Sequence, residues 1–362
     1  MWLQEVTMNH AALVMNPADT KASPNLTVRE FSHPSILSTL SAEWNELSLR
    51  CATGNPFLTA SWHQLWWRYW HQDRRLKIIA LYEADGGLCG IAPLCSAGAD
   101  DHTALMLLGS PDFCDYRDCI VAEGDESRFY DALISYLMRQ SHRGAALTLS
   151  SLQHHSPALS CFNNLARRKD IEVRIEPEDT APRMDLPPDF DAYLDSLDAK
   201  DRHEIRRKKR RAEKEGALDF ERVSEPSRVM AAMPFFLDLF RASGGMKRSF
   251  LTPEREAFFL SLAEEFSGRG WLDLYRLSLN NRAIAYLFCF VYDHTLYLYN
   301  AAYDNRYAQV SPGIVAIAMC IEDAIKRGIR RFEFLRGNET YKYRFGGRDH
   351  HIYTLTCSHR GE

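Results

Sequence analysis

The chain has 362 residues, 46% hydrophobic and 25% charged, enough apolar material for two cores of ordinary size. A formal net charge of -4 points away from a DNA-binding protein and from an acidic disordered one. The longest apolar or aromatic run, Ala283 to Tyr292, is too short to span a bilayer, and the start of the sequence does not have the basic-then-apolar pattern of a leader. The nine cysteines lack C-x-x-C or metal-ligand spacing, which reads as reduced thiols in a cytoplasmic protein with no metal.

In chain order, residues 1–27 read as a flexible tail, because they mix Asn, Thr, Ser and Pro with few periodic apolar residues. Val28 to Phe31 fits a strand. Ser35 to Leu49 fits a helix with Ile36, Leu40, Trp44 and Leu47 on one face. In Asn55 to Trp70, Ser61 and Gln64 have capping-box spacing. Trp62, Leu65, Trp66 and Tyr69 form one stripe there, and His63, Trp67 and Trp70 a second. Clustered tryptophans usually bury area in a core or interface; alternatively the second face, with Trp67, lines a cleft for an acceptor. Leu76 to Tyr82 and Leu88 to Cys95 flank Asp85-Gly86-Gly87 as a hairpin. Strands are then expected at 104–108, 116–121, 146–151 and 171–175, and helices at 125–140 and 157–168.

Four prolines between Pro177 and Pro188 mark a boundary, dividing the chain into units at 28–180 and 181–362. A short helix at 189–197 precedes a charged one at Lys200 to Glu215, where nine Lys and Arg face four acids. That helix is either a solvated face with local ion pairs or a surface that holds phosphate groups. A strand at 218–223 and helices at 226–241 and 253–266 follow, with a break at Ser243-Gly244-Gly245. Next comes a meander of three strands, 271–279, 283–292 and 295–301, turning at Asn280-Asn281 and Asp293-His294. Gly90-Ile91-Ala92-Pro93-Leu94 aligns with Ala283-Ile284-Ala285-Tyr286-Leu287 at an offset of 193, with three of the five positions identical. The order of elements repeats with it, so the two halves read as related.

The segment Tyr303 to Gly347 gathers the chemistry. Ser311 is placed to cap a helix with Pro312 in its first turn. Its apolar face runs through Ile314, Val315, Ile317, Ala318, Ile321 and Ile325, and Gly328 ends it. Arg331 to Leu335 reads as a strand, with Glu333 facing solvent opposite Phe332 and Phe334. A polar loop at 338–344 then brings together Glu339, Tyr341, Lys342, Tyr343 and Arg344. A loop opening a helix, beside a strand that ends in clustered charges, can build a phosphate-and-acyl site. His294, His350, His351 and His359 read as exposed or structural.

Ala283-Ile284-Ala285, Tyr303-Asp304, Ser311-Pro312-Gly313, Arg327-Gly328, Phe332-Glu333-Phe334-Leu335 and Gly337-Asn338-Glu339-Thr340-Tyr341-Lys342 together resemble the CelD-like acetyltransferases of the GNAT superfamily, which are similar to FemAB and FemX transferases. The basic run after Lys200 and Asn55-Pro56-Phe57 with Trp62 extend the likeness, which is strongest over 190–347. The resemblance implies an α/β (α+β) fold of two tandem GNAT-like domains, each a mixed, mostly antiparallel sheet flanked by helices. It implies transfer of an acyl group from acyl-CoA, such as acetyl-CoA, to an amine or hydroxyl of a sugar or peptide precursor in cell-envelope or exopolysaccharide synthesis. Acyl-CoA is then a co-substrate and nothing is bound permanently. One departure matters: Gln309-Val310-Ser311-Pro312-Gly313-Ile314 has proline where the family's phosphate loop has its first glycine, which removes a backbone N–H. Aminoacyl-tRNA, used by Fem-type relatives, is therefore the alternative donor, and a non-catalytic protein that keeps the fold is a further alternative.

Direct acyl transfer needs an oriented donor, a base for the acceptor and hydrogen-bond donors for the oxyanion. Asp304 and Glu339 are the candidate bases. Tyr341 is placed to protonate a leaving group, and Lys342 to stabilise anionic groups. Gln309, Ser311 and Gly313 would hold the donor's phosphates. Tyr303, Arg336, Arg344 and Trp67 would contact substrate, and backbone N–H groups near Tyr299 to Ala302 would hold the carbonyl oxygen. No nucleophile elbow or Cys-His pairing points to a covalent intermediate.

Overall fold

The structure, a computed structural model, describes residues 20–23, 26–97, 104–140, 146–243 and 249–360. Its strands lie in two sheets. The first unit contributes β1 (Thr20–Ser23), β2 (Leu26–Phe31), β3 (Arg74–Glu83), β4 (Leu88–Ala97), β5 (Leu105–Leu107), β6 (Ile120–Val121), β7 (Leu147–Gln153) and β8 (Ile171–Thr180). The second sheet holds β9 (Arg183–Asp185), β10 (Leu218–Val223), β11 (Leu272–Leu279), β12 (Arg282–Tyr292), β13 (Thr295–Tyr303) and β14 (Arg331–Glu333). The last strand, β15 (His351–His359), returns to the first sheet between β7 and β8.

The repeat is visible in the pairing. β2-β3-β4-β5 and β10-β11-β12-β13 are antiparallel meanders in the same order, and the fourth strand of each pairs parallel with the next, β5 with β7 and β13 with β14. The matched pentapeptides lie on β4 and β12, which occupy equivalent places. The turns at Asn280-Asn281 and Asp293-His294 have positive φ throughout, as two-residue hairpins require.

Helices cover both sheets: α1 (Ile36–Thr39), α2 (Ser41–Leu49), α3 (Ala60–Trp70), α4 (Glu126–Gln140), α5 (Pro157–Ala166), α6 (Phe190–Ser196), α7 (Ala199–Glu215), α8 (Pro226–Ala242), α9 (Pro253–Gly268), α10 (Pro312–Lys326) and α11 (Thr340–Arg344). An aromatic cluster joins the units. Phe57, Trp62, Phe113 and Tyr116 of the first pack with Phe258, Phe266, Phe288 and Phe290 of the second. No helix among the described residues is long and apolar enough to cross a membrane.

Several expectations change. Residues 1–19 and 244–248 lie outside the described residues, so the expected tail is largely untouched, and so is most of the glycine break. Thr20–Ser23, inside that expected tail, pairs with β2. The helix at 35–49 is two helices meeting at Leu40. Thr59, not Ser61, caps α3 by accepting from Trp62 N–H; Ser61 donates to Glu265 of α9 instead. The proline-rich stretch is not a bare linker: it carries the end of β8 and all of β9, which pairs with β14. β15 had no counterpart in the sequence reading. It lies past the expected boundary yet fills a slot in the first sheet, so the first unit holds a strand from the second's side of the chain.

Candidate active site

The second sheet opens where β13 and β14 part. Their parallel ladder covers only Thr295–Tyr297 against Arg331–Glu333. Beyond it β13 carries a register shift opposite Phe288 and Cys289, and the chain after β14 turns away at Leu335, whose φ is 62°. A cavity of about 440 Å³ lies in the gap. Leu298, Ala301, Ile314, Ile317 and Phe334 make its apolar wall. Asp115, Asn300, Ser311, Arg336, Glu339 and Lys342 supply polar groups, and Tyr299, Tyr303 and Tyr341 stand around it. Ser311 (φ 53°) and Leu335 are both non-glycine residues in the left-handed region on this cavity. Such strain costs about 1–3 kcal/mol each and concentrates at functional sites.

α10 aims its first turn at the cavity. Ser311 precedes it in the left-handed conformation and makes no side-chain cap, contrary to the expectation. Pro312 has no N–H, and that of Val315 goes to the Ser311 carbonyl. Only Gly313 and Ile314 therefore offer first-turn N–H groups to a ligand. Gly313 packs closely under Tyr303: a Cβ there would sit 3.2 Å from the ring, which would have to give by a few tenths of an ångström.

Lys342 is buried, and its ammonium is fully occupied. It donates to the carbonyls of Leu335 (3.0 Å), Arg336 (2.6 Å) and Gly337 (3.1 Å), with Glu339 Oε2 at 2.9 Å. It thus ties down the loop after β14 and brings positive charge to the cavity. Tyr341 packs beside it, its hydroxyl held above the usual range mainly by burial and by the nearby Glu339.

Arg336 also faces inward rather than outward to substrate. Its guanidinium donates to Glu178 Oε1 (2.8 Å) and Ser151 Oγ (2.9 Å) of the first unit. Its backbone N–H donates to Asp115 Oδ1 at 3.1 Å, a bond spanning 221 positions. Asp115 was missed by the sequence reading. It sits in an irregular loop between buried Phe113 and Tyr116, and nothing local links it to residues so far along the chain. Burial raises its carboxyl above the usual range, while Arg336 and, less strongly, Lys342 pull it back.

Four expected site residues lie elsewhere. Asp304 lines a separate cavity of about 810 Å³ bounded by α8 and the β10–β12 strands. It caps the short turn Asn305–Val310 and pairs with Arg306 at 2.7 Å, which holds its carboxyl below the usual range and makes it a poor base. Arg344 borders a third cavity with Asp198 and Asp201. Trp67 is buried in the first unit's core with Trp44 and Trp66, and the pair reading of that helix as core and interface is the one observed. Gln309 is exposed in the turn before α10 and does not border the cavity where β13 and β14 part. Glu333, expected to face solvent, is buried: Tyr116 OH donates to it at 2.9 Å and burial lifts its carboxyl to about 7. The alternation argument failed because β14 has partners on both edges and the first unit covers its outer face.

Residues 199–343 match the model of the acetyltransferase (GNAT) domain. The chain carries a GNAT-type acetyltransferase domain. That domain makes the protein an acyltransferase, and its match begins at α7 and ends inside α11. No curated protein matches the sequence. Solved structures share the whole fold. A FemX structure aligns over 87% of this chain and 95% of its own, at 12% identity and a TM-score of 0.62. The L-PGS of Bacillus licheniformis aligns over 91% and 93%, at 11% identity and a TM-score of 0.54. A tandem GNAT protein from the clavulanic acid biosynthesis pathway aligns over 92% and 99%, at 10% identity and a TM-score of 0.50. The protein is thus two GNAT-like units in tandem, and the cavity where β13 and β14 part opens in the second sheet.

Proposed function

We propose that this GNAT domain transfers an acyl group from acyl-CoA to an amine or hydroxyl of a sugar or peptide precursor, in cell-envelope or exopolysaccharide synthesis in the cytoplasm, as the CelD-like resemblance implies. The observation that carries acyl transfer is the cavity where β13 and β14 part. A thioester lying in it would meet the Asn300 and Ala301 backbone on one side and the Lys342 charge on the other. The Gly313 and Ile314 N–H groups at the start of α10 would face the donor's phosphates. Asp115 is the better base: it borders the cavity and its carboxyl is raised toward the range where it can take a proton, whereas Glu339 pairs with Lys342. The two domains are taken to divide near residue 181, with β15 assigned to the first.

A second reading, transfer from aminoacyl-tRNA, is favoured by α7. Arg202, Arg206, Lys209 and Arg210 share one face around a surface cleft, and the helix packs against the turn before α10. Such a face could take over phosphate contacts that Pro312 cannot make. Melting the full chain with acetyl-CoA, longer acyl-CoAs and charged tRNA separates the readings, because a ligand bound only to the native state raises Tm. A rise with an acyl-CoA, abolished in Gly313→Val, supports the first. A rise with charged tRNA alone overturns it.

A further inference from the structure

The first unit contributes more than Asp115 to the cavity. β7 carries a bulge: opposite β15, Leu152 pairs with Tyr353 and Leu149 with Leu355, so Ser150 and Ser151 together oppose Thr354. Ser151 is fully buried, has φ 64°, and is not a glycine. This costly conformation turns its N–H and hydroxyl toward one carboxylate and two guanidinium groups. Glu178 accepts from Ser151 N–H at 2.7 Å, Thr354 Oγ1 at 2.8 Å and Arg336 Nη1 at 2.8 Å. Ser151 Oγ accepts from Arg336 Nη2 at 2.9 Å and from Arg117 Nη2 at 3.1 Å. Burial acts to raise the Glu178 carboxyl, but the bonds from Ser151, Arg336 and Thr354 outweigh it and hold the group ionised.

What this cluster fixes is Arg336, and Arg336 fixes two site charges through its backbone. Its N–H holds Asp115 Oδ1 and its carbonyl accepts from Lys342 Nζ. A shift of the Arg336 backbone, which carries the N–H of one peptide and the carbonyl of the next, would lengthen both bonds together. The guanidinium clamp is charge-assisted on the Glu178 arm and shared with a strained serine on the other, which favours one backbone position over its neighbours. We propose that Glu178 and Ser151 are positioning residues for acyl transfer: through Arg336 they set where Asp115 and Lys342 stand, so that the first unit and the closing strand tune the second unit's chemistry. This rests on the acyl-transfer reading of the cavity above.

The test uses the full chain and follows hydrolytic release of free CoA from acetyl-CoA across pH, with water taking the acetyl group as acetate, in wild type, Asp115→Asn, Glu178→Gln and the double variant. Glu178→Gln keeps the side chain's volume and removes its charge. The expected result is a fall in kcat of about 10-fold or more with KM for acetyl-CoA changed by less than about threefold. Loss of the Arg336 N–H bond leaves Asp115 easier to protonate, so the acid limb of the kcat/KM profile moves to higher pH. The double variant should be slower than Asp115→Asn alone by much less than the Glu178→Gln loss in wild type, because Asp115 is one of the two groups through which Glu178 acts. Ser151→Gly provides a second route should Glu178→Gln fold poorly. Glycine adopts the same φ without strain, loses the hydroxymethyl group that accepts from Arg336 and Arg117, and should shift the acid limb in the same direction. Wild-type kcat and an unmoved limb in both Glu178→Gln and Ser151→Gly, while Asp115→Asn is slow, would overturn the positioning role and leave acyl transfer standing. Fully additive losses in the double variant would also overturn it. Wild-type turnover in Asp115→Asn would instead sink the reading of the cavity, and the positioning role with it.

Discussion

Replacing Lys342 with Met tests whether its ammonium is a structural knot as well as a site charge. Methionine fills nearly the same volume without a donor, so the change isolates the hydrogen bonds. The Leu335 carbonyl is left in a buried position, and those of Arg336 and Gly337 in partly buried ones. An unsatisfied buried acceptor costs about 1–3 kcal/mol, and the two partly wetted ones fall near the low end of that range, for a total of roughly 3–5 kcal/mol. Loss of the partly exposed Glu339 ion pair adds little, because solvent screens it. At about 2–4 °C per kcal/mol for a unit of this size, Tm should fall by roughly 10 °C. Calorimetry at pH 7 on wild type and Lys342→Met reads this directly. A variant melting within about 2 °C of wild type would refute the knot and return Lys342 to a purely electrostatic role. An activity loss in Lys342→Ala is therefore informative only when its melting is reported beside it.

The buried Glu333 carboxyl, lifted to about 7 mainly by burial, gives a pH-dependent stability. Because the folded group holds its proton more tightly than the unfolded one, the contribution is complete below about pH 4.5. It drains as pH rises through about 7, reaching a few kcal/mol at about 1.36 kcal/mol per pH unit. Glu333→Gln should match wild type near pH 4.5 and melt higher than wild type at pH 8–9; parallel Tm–pH curves would contradict it. Asp304→Asn should keep wild-type acyl turnover within about twofold, since the residue borders a different cavity and pairs with Arg306; a loss of 100-fold or more would restore it as the base. Gly313→Val should abolish acyl-CoA binding by driving a side chain against the Tyr303 ring, visible as a lost thermal shift with the unliganded Tm little changed.

The sequence alone determined most local structure. Periodicity and punctuation located the charged helix α7, the meander β11–β13 with both of its tight turns, and the apolar helix α10. All of these follow from rules that act within a few residues. The duplicated order of elements was also legible, since β4 and β12 keep a five-residue trace of one another at equivalent places. The cavity wall was legible in part: Ser311, Gly313, Tyr303, Arg336, Glu339, Tyr341 and Lys342 all border it, because they lie close together in the chain.

Tertiary structure alone decided the rest. The sheet membership of β15 depends on a slot between β7 and β8 that exists only once the first unit has folded. Asp115 reaches Arg336 across 221 positions, and Ser151 takes a left-handed φ that its own sequence disfavours, to meet Glu178. Asp304 and Lys342 look alike in sequence, both charged residues in the same segment. Only packing separates an aspartate that caps a turn and binds Arg306 from a lysine whose every donor is spent on the loop it holds. Which residues carry charge is written locally. Where that charge is aimed, and whether water or a carbonyl neutralises it, depends on chain segments brought together from both halves.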